Sequence, residues 1–122
     1  MDISLDNGAG HYQIKSYSAG KIQINGTVYT KPTAVSLNEL TQDKLPDEVL
    51  NITKEDLETL NIIDYEAVLL GTGENLQQLS WDIIEAAQMM GAPLEIMSTG
   101  AACRTFTILA SEGRRVLAIL YP

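Results

Sequence analysis

Three apolar runs, Ala67-Val68-Leu69-Leu70-Gly71-Thr72-Gly73, Leu94-Glu95-Ile96-Met97-Ser98-Thr99-Gly100 and Val116-Leu117-Ala118-Ile119-Leu120, decide how this chain is read. Each is strand-sized, and the first two run straight into glycine-bearing turns. Between them the apolar spacing becomes helical: Leu79, Ile83, Ala86, Ala87 and Met90 over about 78–90, then Ala102, Phe106, Leu109 and Ala110 over about 100–111. Gly91 and Gly113 follow these stretches, suited to the left-handed residue that closes a helix. Strand, helix, strand, helix, strand is a βαβαβ unit, whose parallel strands are joined by right-handed crossovers.

Burial can be read from the same runs. Continuously apolar strands at 67–70 and 116–120 are expected to be covered on both faces, whereas Glu95 puts 94–97 nearer an edge. The expected order has 67–70 between the other two. Strand order then reverses there, and a crevice opens at the carboxyl ends.

Upstream the period is two. Tyr12, Ile14 and Ser16 alternate with Gln13, Lys15 and Tyr17, and β-rich residues flank Asn25-Gly26. Asn-Gly favours a tight hairpin whose central residues take positive φ. Strands are expected near 12–17, 21–25 and 27–30, with a further one over 34–37 after Pro32. The acidic stretch 38–47 reads as a solvated connection. Thr53, followed by Lys54-Glu55-Asp56 and Leu57, reads as an N-capped short helix with Asp56 in the capping-box position. The fold class is therefore α/β: a single layered domain over 1–122, with N-terminal antiparallel hairpin strands at about 12–37 and a parallel βαβαβ unit at about 67–122.

Bulk properties exclude several classes. A chain of 122 residues buries roughly two thirds of its unfolded surface, enough for a core without staples. Its net charge of −8 opposes binding to nucleic acid or anionic membranes, which needs clustered cations; only Arg114-Arg115 are adjacent. No apolar stretch approaches the ~20 residues of a membrane span, so direct membrane insertion is not expected. The start Met1-Asp2-Ile3-Ser4 resembles neither a secretory signal nor a transit peptide, and the expected compartment is the cytoplasm. One cysteine and one histidine cannot build a zinc site, so neither metal nor cofactor is expected.

The two glycine turns carry the only candidate chemistry. With parallel strands they converge, and helix N-termini favour anions. Gly71, Thr72, Gly73, Ser98, Thr99 and Gly100 are thus candidate ligand-binding residues, with Arg104 one helical turn on. The structural alternative has Ser98 or Thr99 capping its own helix, Gly71 and Gly73 making a tight turn, and Arg104 pairing with Glu95 or Glu74. No nucleotide fingerprint supports the first reading: the third glycine of G-x-G-x-x-G is missing, and Glu74 would repel phosphate. Neither Cys103 nor Ser98 has an activating base beside it in sequence, and the lone His11 lies far upstream, so no catalytic residue is assigned. Trp81 is either an exposed interface aromatic or a ring over the core edge.

Leu69-Leu70-Gly71-Thr72-Gly73, Met97-Ser98-Thr99-Gly100-Ala101-Ala102-Cys103-Arg104-Thr105-Phe106 and Glu112-Gly113-Arg114-Arg115-Val116 together resemble the family of the mitochondrial NADH dehydrogenase (complex I) assembly factor 3 and the adipogenesis-associated domain protein. The Asn25-Gly26 hairpin and the ending Leu120-Tyr121-Pro122 fit as well. The resemblance covers about Tyr12 to Pro122. It departs at Phe106-Thr107, where the family often has Tyr-Asn, and at Leu76 to Ser80, where an aromatic or proline is common. It implies a compact α/β domain, found alone in bacteria and archaea and mostly of unknown biochemical role, whose mitochondrial branch helps assemble respiratory complex I; with no catalytic group assigned, a non-catalytic interaction or assembly role is expected. A protein partner, such as a respiratory or membrane-complex subunit, is the expectation; homo-oligomerisation stays open. The alternative is a small-molecule or anion-binding module using the 71–73 and 98–100 turns.

Overall fold

The computed structural model describes residues 11–122. Strands β1 (Ile14–Ser18), β2 (Lys21–Ile24) and β3 (Thr27–Tyr29) form a three-stranded antiparallel sheet. β4 (Thr33–Val35) and β5 (Leu40–Thr41) then join β6 (Ala67–Gly71), β7 (Leu94–Met97) and β8 (Val116–Leu120) in a five-stranded sheet of order β5-β4-β8-β6-β7. β6 pairs in parallel with both β7 and β8, while β4 runs antiparallel to β8. The expected order is what forms: β6 lies between its two successors and β7 is an edge.

Burial explains this order. Every residue of β6 and β8 is buried, whereas Glu95 of β7 is exposed. Alternation along the two central strands splits the core in two. Val68, Leu70, Leu117 and Ile119 face one cluster, shared with Leu57 of α1 (Lys54–Thr59) and Ala87 of α2 (Trp81–Met89). Ala67, Leu69, Val116, Ala118 and Leu120 face the other, with Ala102 and Phe106 of α3 (Thr99–Ser111) and Ile22 and Ile24 of the small sheet. The five-stranded sheet is the middle layer between these covers.

Helix ends follow local chemistry. At α1, Thr53 Oγ1 accepts from the Asp56 amide and Asp56 Oδ2 accepts from the Thr53 amide, a complete capping box. Both α2 and α3 end in Schellman motifs: Ala92 N donates to Ala87 O beyond Gly91, and Arg114 N to Leu109 O beyond Gly113. Gly91 and Gly113 have φ of 86° and 78°, conformations that L side chains resist. After the second motif, Arg114 and Arg115 lie beside Glu66, 3.9 and 3.8 Å away. These pairs are exposed and worth little individually.

Several boundaries differ from expectation. α2 begins at Trp81, not near 78, because residues 72–77 are folded onto Thr72 and Ser80 takes the N-cap position; Leu79 is buried from outside the helix. The 38–47 connection contains β5, paired to β4. In the hairpin, positive φ falls on Asn25 alone (53°), not on both turn residues. Asn25 is held there by its own amide group: Oδ1 accepts from Gln13 N and Nδ2 donates to His11 O. Finally, the β1–β2 register shifts between Ile14 and Ser16, a bulge that resets the alternation. Tyr17, expected opposite Ile14, instead packs with it against the α3-side core.

Replacing Phe106, only 1% exposed in that core, by Ala is expected to cost about 3–5 kcal/mol. Urea unfolding should show a lower midpoint with an unchanged slope.

Candidate functional site

Parallel pairing brings the carboxyl ends of β6, β7 and β8 together. Each ladder continues one bond past its strand: Thr72 N donates to Met97 O and Tyr121 N to Gly71 O, both at 3.0 Å. The turns after β6 and β7 are therefore locked side by side.

Thr99 sits where they meet and is wholly buried. Its hydroxyl donates to Tyr121 O at 2.6 Å and accepts from Gly73 N at 2.8 Å. Thr99 N also donates to Gly73 O at 2.8 Å. The first turn of α3 approaches so closely that a Cβ on Gly71 would stand 2.8 Å from Thr99 Cα. That atom is backbone and cannot swing aside, so only glycine fits. Thr72, 1% exposed, is equally committed. Its hydroxyl donates to Asn75 O at 2.9 Å and accepts from Gln77 N at 2.9 Å. Ser98 caps α3, its oxygen accepting from Ala101 N.

Of the candidate residues, Gly71, Thr72, Gly73, Ser98 and Thr99 are thus brought together in one hydrogen-bonded knot. Gly100 and Arg104 are placed differently. They line a groove on the other side of the α3 N-terminus, against β1. The expected pairing of Arg104 with Glu95 or Glu74 does not form; among the described residues Arg104 makes no ion pair. A crevice of about 440 Å³ does open at the strand ends, bordered by Thr72, Gly73 and Tyr121. Its rim carries Asp47, Glu48 and Glu74, an electrostatic setting opposite to that of an anion cradle.

Two tyrosines gave no functional signal in sequence. Tyr121 closes the crevice floor, its hydroxyl donating to Pro46 O at 2.9 Å and tying the 38–49 segment to the sheet. Burial raises its phenol pKa, and Asp56, Asp47 and Glu48 add to the effect. Tyr17 stands across from Gly100, and among the described residues its buried hydroxyl has no hydrogen-bond partner. Its pKa is also raised, by burial first and then by Glu74 and Cys103. The signal for Tyr17 was hidden by the bulge, which no alternation pattern reveals.

Cys103 is buried beside this tyrosine's groove. Burial pushes its thiol up to about 11, with the Arg104 guanidinium opposing. Such a thiol is a packing group near neutral pH, not an activated nucleophile. Among the described residues no group of His, Cys, Asp and Glu is arranged to hold a metal ion.

A mixed sheet with a β6–α2–β7–α3–β8 unit and knotted turns defines an α/β domain, and comparison with known proteins gives its family. Residues 14–121 match the family described as "Protein of unknown function (DUF498/DUF598)", and the chain belongs to it. It is 30% identical over 108 residues to the 13 kDa major membrane protein of Francisella tularensis subsp. holarctica (strain LVS), covering 87% of each chain. It is 32% identical over 111 residues to NADH dehydrogenase [ubiquinone] 1 alpha subcomplex assembly factor 3 of Danio rerio, covering 89% of this chain. The match spans only 63% of that assembly factor's length. A crystal structure of a Bordetella parapertussis protein superposes with a TM-score of 0.82 at 28% identity, covering 93% of this chain and 97% of that one. Among the described residues no helix is long and apolar enough to cross a membrane.

Two outcomes test the knot. Thr99→Val keeps the shape but strands the Gly73 amide and Tyr121 carbonyl, so a loss of about 2–4 kcal/mol is expected in urea unfolding, with Thr99→Ser recovering most of it. The Cys103 pKa is raised from its ordinary 9.0, so the folded state holds the proton longer than the unfolded chain. Its contribution is fully present below pH 9 and is lost as pH rises toward about 11. Cys103→Ala should flatten the fall in stability above pH 9, and wild-type alkylation by iodoacetamide at pH 8 should be slow until the chain unfolds.

Proposed function

We propose that this chain is an assembly-type protein that works by binding another polypeptide, through the outward face of α2. One observation carries the reading. Trp81 and Met89 are 68% and 82% exposed, although α2 has an apolar face already satisfied by the core. They stand eight residues apart with Glu85 midway, so the three share one stripe, and exposed Asp82 flanks it. Aromatic and methionine side chains are enriched at the centres of protein interfaces.

The acids say what partner fits. Among the described residues Asp82 and Glu85 have no ion pair, and the whole chain carries −8, so two copies meeting at this face would repel. The complementary surface is apolar and rimmed by Lys or Arg. A relative named as a complex I assembly factor supports a subunit of a membrane-bound respiratory complex as that partner. Contact would be made from the aqueous side, without insertion of this chain.

The test is affinity purification from gently solubilised cells with tagged wild type and a Trp81→Ala, Met89→Ala double variant. Both side chains are exposed, so the double variant should keep its stability to within about 0.5 kcal/mol per site. Wild type is expected to retain specific subunits of a membrane complex and the variant to lose them. Equal recovery by both, or recovery of no such subunit, would overturn the reading.

A further inference from the structure

The groove between β1 and α3 combines two cations with a lining that includes no carboxylate, in a molecule of net charge −8. Three other cavities of about 410, 440 and 220 Å³ each have at least one carboxylate residue in the wall: Glu39 in the first and third, and Asp47, Glu48 and Glu74 in the second. The β1–α3 groove, about 470 Å³, has none among its lining residues, yet holds Lys15 and Arg104, two of the chain's eight cations. Its remaining wall is largely apolar, with Ile14 on β1 and Ile108 and Cys103 on α3. Ile108 is 58% exposed, an apolar side chain that the core does not use.

At one end of the groove the Arg104 guanidinium and the Tyr17 ring both lie against Gly100. Gly100 is the second residue of α3, and among the described residues its amide has no acceptor. A Cβ on Gly100 would stand 3.5 Å from Arg104 Nη1 and 3.4 Å from the Tyr17 ring, so the missing side chain lets both come close to the helix end. The Tyr17 hydroxyl is a separate observation: it is buried with no hydrogen-bond partner among the described residues, and a buried hydroxyl left unpaired costs free energy. The β1 bulge is what turns this ring toward α3 instead of the opposite face.

From this arrangement we infer that the groove binds a small amphiphilic carboxylate, its head held by Arg104 and the Gly100 amide beside Tyr17 and its apolar body lying between Ile14 and Ile108. A guanidinium and a helix-end amide are suited to a planar monoanion. The volume lies within the roughly 300–1,000 Å³ of small-molecule sites. A dianionic phosphate suits the place less well, because the negative field of Glu74 reaches Tyr17 and opposes each added charge. The apolar walls would also gain nothing from a bare inorganic ion. This inference uses β1 and α3 and is independent of the α2 face proposed for the protein partner.

An NMR titration of the whole chain with octanoate, octanol and inorganic phosphate tests it. Octanoate is expected to saturate, shifting the Gly100, Cys103 and Arg104 amides and the Tyr17 ring, and to bind at least about tenfold more tightly than octanol or phosphate. Arg104→Gln should weaken octanoate about tenfold while leaving octanol unchanged. Arg104 is exposed, so the variant spectrum should otherwise overlay that of wild type. Equal affinity for octanol would mean apolar adsorption without head recognition, and phosphate binding as tightly as octanoate would mean a plain anion site. Either result, or a full octanoate response in the Arg104 variant, or no saturation, would overturn the inference.

Discussion

The contact between Gly71 and Thr99 constrains everything around it. Because β6 ends in a residue without a side chain, the first turn of α3 can rest on the strand's backbone, and the Thr99 hydroxyl reaches both Gly73 and the chain continuing from β8. One buried hydroxyl therefore joins the ends of two strands and the start of a helix. A bulkier residue at 71 would lift α3 off the sheet, moving Phe106 and Ala102 away from the core they share with β6 and β8.

This packing also decides which polar groups remain for function. Thr72 and Thr99 spend their hydroxyls within the knot, and the crevice beside them is ringed by carboxylates. What the knot leaves over is the outer side of the α3 N-terminus, where Gly100 and Arg104 meet Tyr17. The bulge in β1 completes that side, since without it Tyr17 would face away from Ile14 and the α3-side core. Farther along the chain, the exposed face of α2 is a separate surface with its own apolar and acidic character. The molecule thus presents two unlike regions: a cationic groove and an acidic helix face.

Much of the fold was legible in the sequence because its signals were local. Unbroken apolar runs marked β6 and β8 as central, Glu95 marked β7 as an edge, and Gly91 and Gly113 closed their helices as expected. The features that escaped depend on contacts distant in sequence. Nothing in Gly71-Thr72-Gly73 alone says that Thr99, 26 residues beyond Gly73, will consume its amide, or that Tyr121 will take the same hydroxyl's proton. Arg104 follows the second turn by one helical turn in sequence, but which side of α3 it occupies depends on how the helix is rotated relative to β1. A register shift between Ile14 and Ser16 is likewise invisible to a period-two count.

The most direct test of the central contact is hydrogen exchange at the Gly73 amide. Gly73 lies in a turn with positive φ between a strand and a long loop, a place where amides ordinarily exchange fast. Donation to a fully buried threonine hydroxyl predicts that it opens only with the core, with a protection free energy close to that of the β6 and β8 amides. Exchange as fast as at exposed Glu74 would show that the two turns are not locked together and would contradict the account.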